Sequence, residues 1–176
     1  IAGLHETYTI TKTSGQQEGL EVRLSPLGVY RLFGIPMSEL ANRTYLLEEI
    51  APAWHQNLVD QLLDAPDWDA RFHLAELALA RTPHNLAPDP EIVWAWQQLR
   101  RTHGQLPIAE LAAELGWSHT RLVSRFRQQI GASPKQCARL LRFQQVVRHP
   151  AFAPGADWCD LAQRCGFYDQ SHLIRE

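Results

Sequence analysis

The chain has only three cysteines in 176 residues: Cys137, Cys159 and Cys165. They are odd in number and clustered late, so they read as reduced thiols of a cytoplasmic protein rather than as a disulfide framework. No apolar run approaches the ~20 residues needed to cross a bilayer, so no membrane partner is expected. A charged start followed by an apolar stretch is also missing, so the expectation is a chain without an export signal. It holds one methionine, Met37, and begins at Ile1, and therefore reads as a fragment whose start lies upstream. Ten glycines and eleven prolines are too few for a collagen-like rod, and 45% hydrophobic with 20% charged residues fits neither a disordered tail nor a coiled coil. The usual signs of catalysis are lacking as well. Eight histidines are scattered, no His-x3-His or Cys-x2-Cys pairing suggests zinc, and no glycine-rich phosphate loop occurs. Asp67 and Asp69 flank Trp68 at a helix start, where acids simply favour the dipole. No catalytic residue, metal or cofactor is expected, and the chain does not read as an enzyme.

What is present is an uneven distribution of charge. Residues 1–99 hold 6 Lys/Arg against 13 Asp/Glu, a balance of −7, and residues 100–176 hold 11 against 6, a balance of +5. The cations crowd into 100–149, where Arg100, Arg101, Arg121, Arg125, Arg127, Lys135, Arg139, Arg142 and Arg148 face only Glu110 and Glu114. An acidic body carrying a basic module that seeks polyanions is the implied design.

The first quarter looks mixed. Tyr8 and Ile10 alternate with threonines, and Leu20, Val22 and Leu24 alternate with Glu21 and Arg23, which predicts two strands separated by the turn-rich 14–19. Short helices are expected over 28–33 and 37–42, a longer one over Leu46–Leu63, and another from Trp68 to Ala80. Trp54, Leu58 and Leu62 form a stripe that suits either packing inside the domain or a dimer seam. Three prolines in 82–90 mark a boundary. The expected organisation is a partial N-terminal regulatory or dimerisation domain over 1–82, a proline-rich linker over 83–90 and a helical domain over 91–176. Asp89 before Pro90 and Glu91 suits an N-cap, and Ile92, Trp96 and Leu99 mark the buried stripe of the helix that follows, ended by Gly104.

Residues 107–131 carry a helix-turn-helix pattern. Pro107 opens a helix with Ile108, Leu111, Ala112 and Leu115 at i, i+3, i+4, i+7; Gly116 ends it, and Ser118 can cap the next. In that second helix Leu122 and Phe126 point inward, while Thr120, Val123, Ser124 and Arg127 fall on the opposite side. Two helices joined by such a turn place the second in a DNA groove. The pattern recurs: Trp158, Leu161, Ala162, Cys165, Gly166 and Phe167 repeat Ile108, Leu111, Ala112, Leu115, Gly116 and Trp117 at an offset of 50, and Leu173 answers Leu122 at 51. Trp117 and Phe167, beside the turn glycines, are expected in the core. Between the copies Ser133-Pro134 opens a connecting helix that Pro150 ends.

Leu115-Gly116-Trp117-Ser118, Leu122, Arg125-Phe126, Gly131-Ala132-Ser133-Pro134, Arg142-Phe143 and Gly166-Phe167-Tyr168-Asp169-Gln170-Ser171-His172-Leu173 together resemble the DNA-binding domain of AraC/XylS-type transcriptional regulators. The resemblance covers about residues 91–176. It implies an all-helical domain with two helix-turn-helix units joined by a long helix, and a bacterial regulator that binds double-stranded DNA. By similarity the base-facing positions are Thr120, Val123 and Ser124, with Arg127 nearby, in the first reading helix, and Ser171, Ile174 and Arg175 in the second. Ser118, Arg121, Lys135 and Arg139 are expected on phosphates, where contacts fix register without reading sequence. The first reading helix offers short side chains, so readout there rests on methyl contacts from Thr120 and Val123. The chain stops at Glu176, inside the second reading helix and short of a Phe126 counterpart, so this unit is expected to be C-terminally truncated. The upstream part resembles the effector or dimerisation portion of such regulators, an α+β remnant with two strands and several helices. It implies a small-molecule effector and a homodimer as further partners. The rival reading is a helical interaction module whose basic face binds an acidic protein partner instead of DNA.

Overall fold

A proline after a serine starts the first helix. Pro26 occupies the first helical position, where its missing N–H costs nothing, and the Ser25 hydroxyl accepts from the Gly28 amide at 3.1 Å. This computed structural model describes residues 2–5, 10, 12, 14–16, 18–82, 86–150, 152–153, 155 and 157–175. Among them the fold is mainly helical, with eleven helices. The chain divides into two compact units, Ile1–Pro88 with Gln128–Gly131, and Asp89–Arg127 with Ala132–Glu176.

In the first unit α1 (Pro26–Phe33) and α2 (Met37–Leu40) bury Tyr30, Met37 and Leu40, with Val29, Ile35, Tyr45 and Ile50 packed around them. α3 (Leu47–Ile50) and α4 (Pro52–Asp64) take the place of the single helix expected over 46–63. Pro52 has no N–H to continue the ladder, and Ala51 before it is pushed out of helical geometry to φ −143°, ψ 68°. α2 likewise stops at Leu40 rather than 42, because Ala41 is extended and Asn42 is left-handed at φ 56°. α5 (Trp68–Arg81) starts on Asp67, whose carboxylate accepts from the Ala70 amide at 2.8 Å. The Trp54 indole N–H donates to the Thr82 hydroxyl at 2.5 Å, and its ring meets Phe33 edge-on at 5.5 Å. Leu58 is buried beside it, so this part of the α4 stripe is used inside the unit.

Among the described residues neither expected strand is seen. Most of the first lies outside the described residues, and Ile10 within it is exposed. Residues 20–24 form no strand; Val22 is exposed and Arg23 pairs with Glu21 two positions before it. Alternation of side chains makes a strand only where another backbone supplies the ladder. The one bridge among the described residues pairs Ala2 with Thr44 instead.

The second unit holds α6 (Pro90–Arg101), α7 (Ile108–Glu114), α8 (His119–Ile130) up to Arg127, α9 (Pro134–Arg148), α10 (Trp158–Arg164) and α11 (Gln170–Arg175), in that order. Ile92, Ala95, Leu99, Leu111, Ala112, Leu122 and Phe126 are buried, and Trp96 of α6 meets Phe126 of α8 at 6.4 Å. A second cluster joins Val146 of α9 to Leu161, Ala162, Cys165, Phe167 and Leu173. α9 opens with a reciprocal cap: the Ser133 hydroxyl accepts from the Gln136 amide at 3.2 Å, and the Gln136 side chain accepts from the Ser133 amide at 2.7 Å.

Candidate nucleic-acid interface

The two turns of the second unit are closed by the same hydrogen bonds. At the first, the Trp117 amide donates to the Ala112 carbonyl at 2.9 Å, the Gly116 amide to Ala113 at 3.0 Å and the Leu115 amide to Leu111 at 3.3 Å. At the second, the Phe167 amide donates to Ala162 at 2.9 Å, the Gly166 amide to Gln163 at 3.1 Å and the Cys165 amide to Leu161 at 3.1 Å. Each glycine sits in the left-handed region, Gly116 at φ 63° and Gly166 at φ 81°, as this six-to-one closure requires. The helix after each turn is then capped by a side chain. The Ser118 hydroxyl accepts from the Arg121 amide at 3.2 Å, and the Asp169 carboxylate from the His172 amide at 2.7 Å.

This local chemistry decides which residues face out. In α8, Leu122 and Phe126 are fully buried, whereas Thr120, Ser124 and Arg127 are exposed and Val123 is half-buried. In α11, Leu173 is buried while Ser171, Ile174 and Arg175 are exposed, Ile174 at 72%. The Nε of Arg175 donates to the carbonyl of Ser171 at 3.0 Å, so its guanidinium lies back along its own helix. Half-burial of Val123 leaves Thr120 and Ser124 as the exposed short side chains of that face.

Of the residues expected on phosphates, Ser118, Arg121 and Lys135 are exposed and Arg139 is half-buried. Arg121 also has an internal task. Its guanidinium lies 4.3 Å from the centre of the Trp117 ring. The expectation of a core Trp117 is corrected in part: the ring is half-buried, covered on one face by that cation, while its counterpart Phe167 is buried at 4% exposure. Arg142 of α9 donates from Nη1 to the Gly104 carbonyl at 2.8 Å and lies 5.6 Å from the Phe167 ring. Among the described residues Arg100, Arg127, Lys135, Arg139 and Arg148 enter no ion pair. Arg164 pairs with Asp160 at 2.8 Å along α10.

One arrangement has no counterpart in the expectations drawn from sequence. Asp89 does not cap α6 with its side chain; its backbone carbonyl receives the Ile92 and Val93 amides at 3.0 Å each. Its carboxylate instead receives Arg125 of α8, Nε and Nη2 each at 2.8 Å. The only local signal for this pairing is the position of Arg125 just before Phe126, on the edge of the buried face.

Cys137 and Cys165 are buried and Cys159 is exposed. Burial pushes the Cys165 thiol up from its ordinary range. Among the described residues no group of His, Cys, Asp or Glu is arranged to hold a metal ion, and no helix is long and apolar enough to cross a membrane. Comparison with known proteins returns no match: no family model fits the chain, and neither a curated protein nor a solved structure is significantly similar to it.

Proposed function

We propose that the second unit binds double-stranded DNA and that the chain is a sequence-specific transcriptional regulator of the AraC/XylS type, acting in the cytoplasm of a bacterium. The observation that carries this reading is the duplicated turn: two copies with the same cap hydrogen bonds, each followed by a helix with a buried leucine and an open outer face. In this reading α8 and α11 enter successive major grooves, roughly 34 Å apart along one side of the duplex. Thr120, Val123, Ser124 and Arg127 read one half-site and Ser171, Ile174 and Arg175 the other. Ser118, Arg121, Lys135 and Arg139 hold phosphates. The acidic first unit senses a small-molecule effector or joins two copies of the chain.

Affinity then comes largely from counterion release. If Arg100, Arg127, Lys135, Arg139 and Arg148, five of the cations that enter no ion pair among the described residues, each neutralise one phosphate, the slope of log K against log salt is about −4 to −5. Titration of a random duplex at two ionic strengths tests this. A steep log-linear loss of affinity is expected. Binding that is absent, or that ignores salt, contradicts the reading and favours a basic face made for an acidic protein partner.

A further inference from the structure

The geometry points to Asp89 and Arg125 as a positioning pair that sets how α8 presents its outer face, with Arg125 acting on recognition through Asp89 rather than as a cation on DNA. This rests on the DNA-binding reading above. The two residues lie 36 positions apart, yet both carboxylate oxygens engage the guanidinium, at 2.8 Å to Nε, 2.8 Å to Nη2 and 2.6 Å for the closest approach. Such a fork constrains direction as well as distance, which a single lysine ammonium does not.

Each end of the pair is anchored. Asp89 is the N-cap residue of α6, where its carbonyl holds two amides, and that helix is sunk into the core by Ile92, Ala95 and Leu99. Arg125 follows Ser124 directly and lies two positions from both Val123 and Arg127. α8 also meets α6 through the Trp96–Phe126 ring contact. Ring packing holds two helices together but tolerates small rotations about their axes; a bidentate ion pair at the edge of the buried face resists them. Both side chains keep some solvent access, 41% for Arg125 and 26% for Asp89. Half-exposed ion pairs contribute little net stability. Geometry is therefore what the pair supplies, and its loss falls on base reading more than on folding.

The full chain is compared with Asp89→Asn, which is isosteric, with Arg125→Lys, which keeps the charge and loses the fork, and with the exchanged pair Asp89→Arg plus Arg125→Asp. Three quantities are read: affinity for a duplex selected from a random pool, affinity for random duplex, and hydrogen exchange of the 119–130 amides without DNA. Each single variant is expected to lose about tenfold in affinity for the selected duplex and less than about twofold for random duplex. Exchange in α8 accelerates in both, and the exchanged pair recovers most of each loss. Equal losses on both duplexes in Arg125→Lys identify Arg125 as a phosphate contact and overturn the proposal. Unchanged exchange together with an unchanged affinity ratio overturns it as well. If the unaltered chain binds no DNA, the functional reading fails separately, and the exchange comparison still decides whether the pair positions α8.

Discussion

Gly104 and Gly116 both end a helix in the left-handed region, at φ 77° and φ 63°, but their surroundings differ sharply. A Cβ built on Gly116 meets nothing within 4 Å. One built on Gly104 lies 2.2 Å from the Ala138 carbonyl oxygen and 2.8 Å from the carbonyl carbon and Cα of that residue. Gly116→Ala therefore carries the backbone cost alone, roughly 1–2 kcal/mol, reduced by the lower entropy of the unfolded chain, for a net loss of about 1 kcal/mol. Gly104→Ala adds to this a displacement of α6 from α9, worth about 1–3 kcal/mol as overpacking. It also strains the 2.8 Å hydrogen bond from Arg142 to the Gly104 carbonyl, so the total is about 3–5 kcal/mol. Urea unfolding followed by circular dichroism measures both as shifts in midpoint at constant slope. A Gly104→Ala variant no less stable than Gly116→Ala would refute the packing of α6 on α9.

Other consequences are equally direct. Arg175→Ala is expected to weaken binding to a selected duplex by roughly 1–3 kcal/mol and to relax preference at one base position; a uniform loss across unrelated sequences would reassign Arg175 to a phosphate. Thiol labelling of the folded protein, followed by mass spectrometry, is expected to modify Cys159 quickly and to reach Cys137 and Cys165 only on unfolding; fast labelling of Cys165 would contradict its burial. Because the folded Cys165 thiol is raised, the native state holds that proton more tightly than the unfolded chain does. The stability it contributes is complete below the unfolded thiol value of about 8.5 and is lost as pH rises past it. Melting curves at pH 7.5 and 9.5 should therefore converge toward those of Cys165→Ala at the higher pH, and a constant difference would argue against it.

Sequence reveals what neighbours along the chain decide. Ser25, Asp67, Ser118 and Ser133 cap helices through amides three positions away, and Gly116 and Gly166 close turns within six residues, so each leaves a local signature. The repeat multiplies those signatures: spacing gives the exposed positions of α8, with Val123 the half-buried exception, while those of α11 come from the family resemblance. Pro52 escapes such a reading because the apolar stripe of 46–63 continues across it, and periodicity does not register a missing N–H. The strand expected over 20–24 fails for a different reason: alternation says which face a residue takes, not whether a neighbouring strand exists. Asp89 and Arg125 meet across 36 positions, and Arg121 covers Trp117 through a ring contact, so neither partner is encoded by spacing alone. Long-range pairing turns one arginine of the basic stretch from a free cation into half of an ion pair.

Selection of bound sequences from a random duplex pool tests the duplicated interface most directly. Two short preferred blocks whose centres lie about one helical turn, roughly 10 base pairs, apart are expected, with the second block blurred by Arg175→Ala and the first by substitution of Thr120 or Ser124. A single block insensitive to α11, or a pool that emerges without enrichment, would contradict the account.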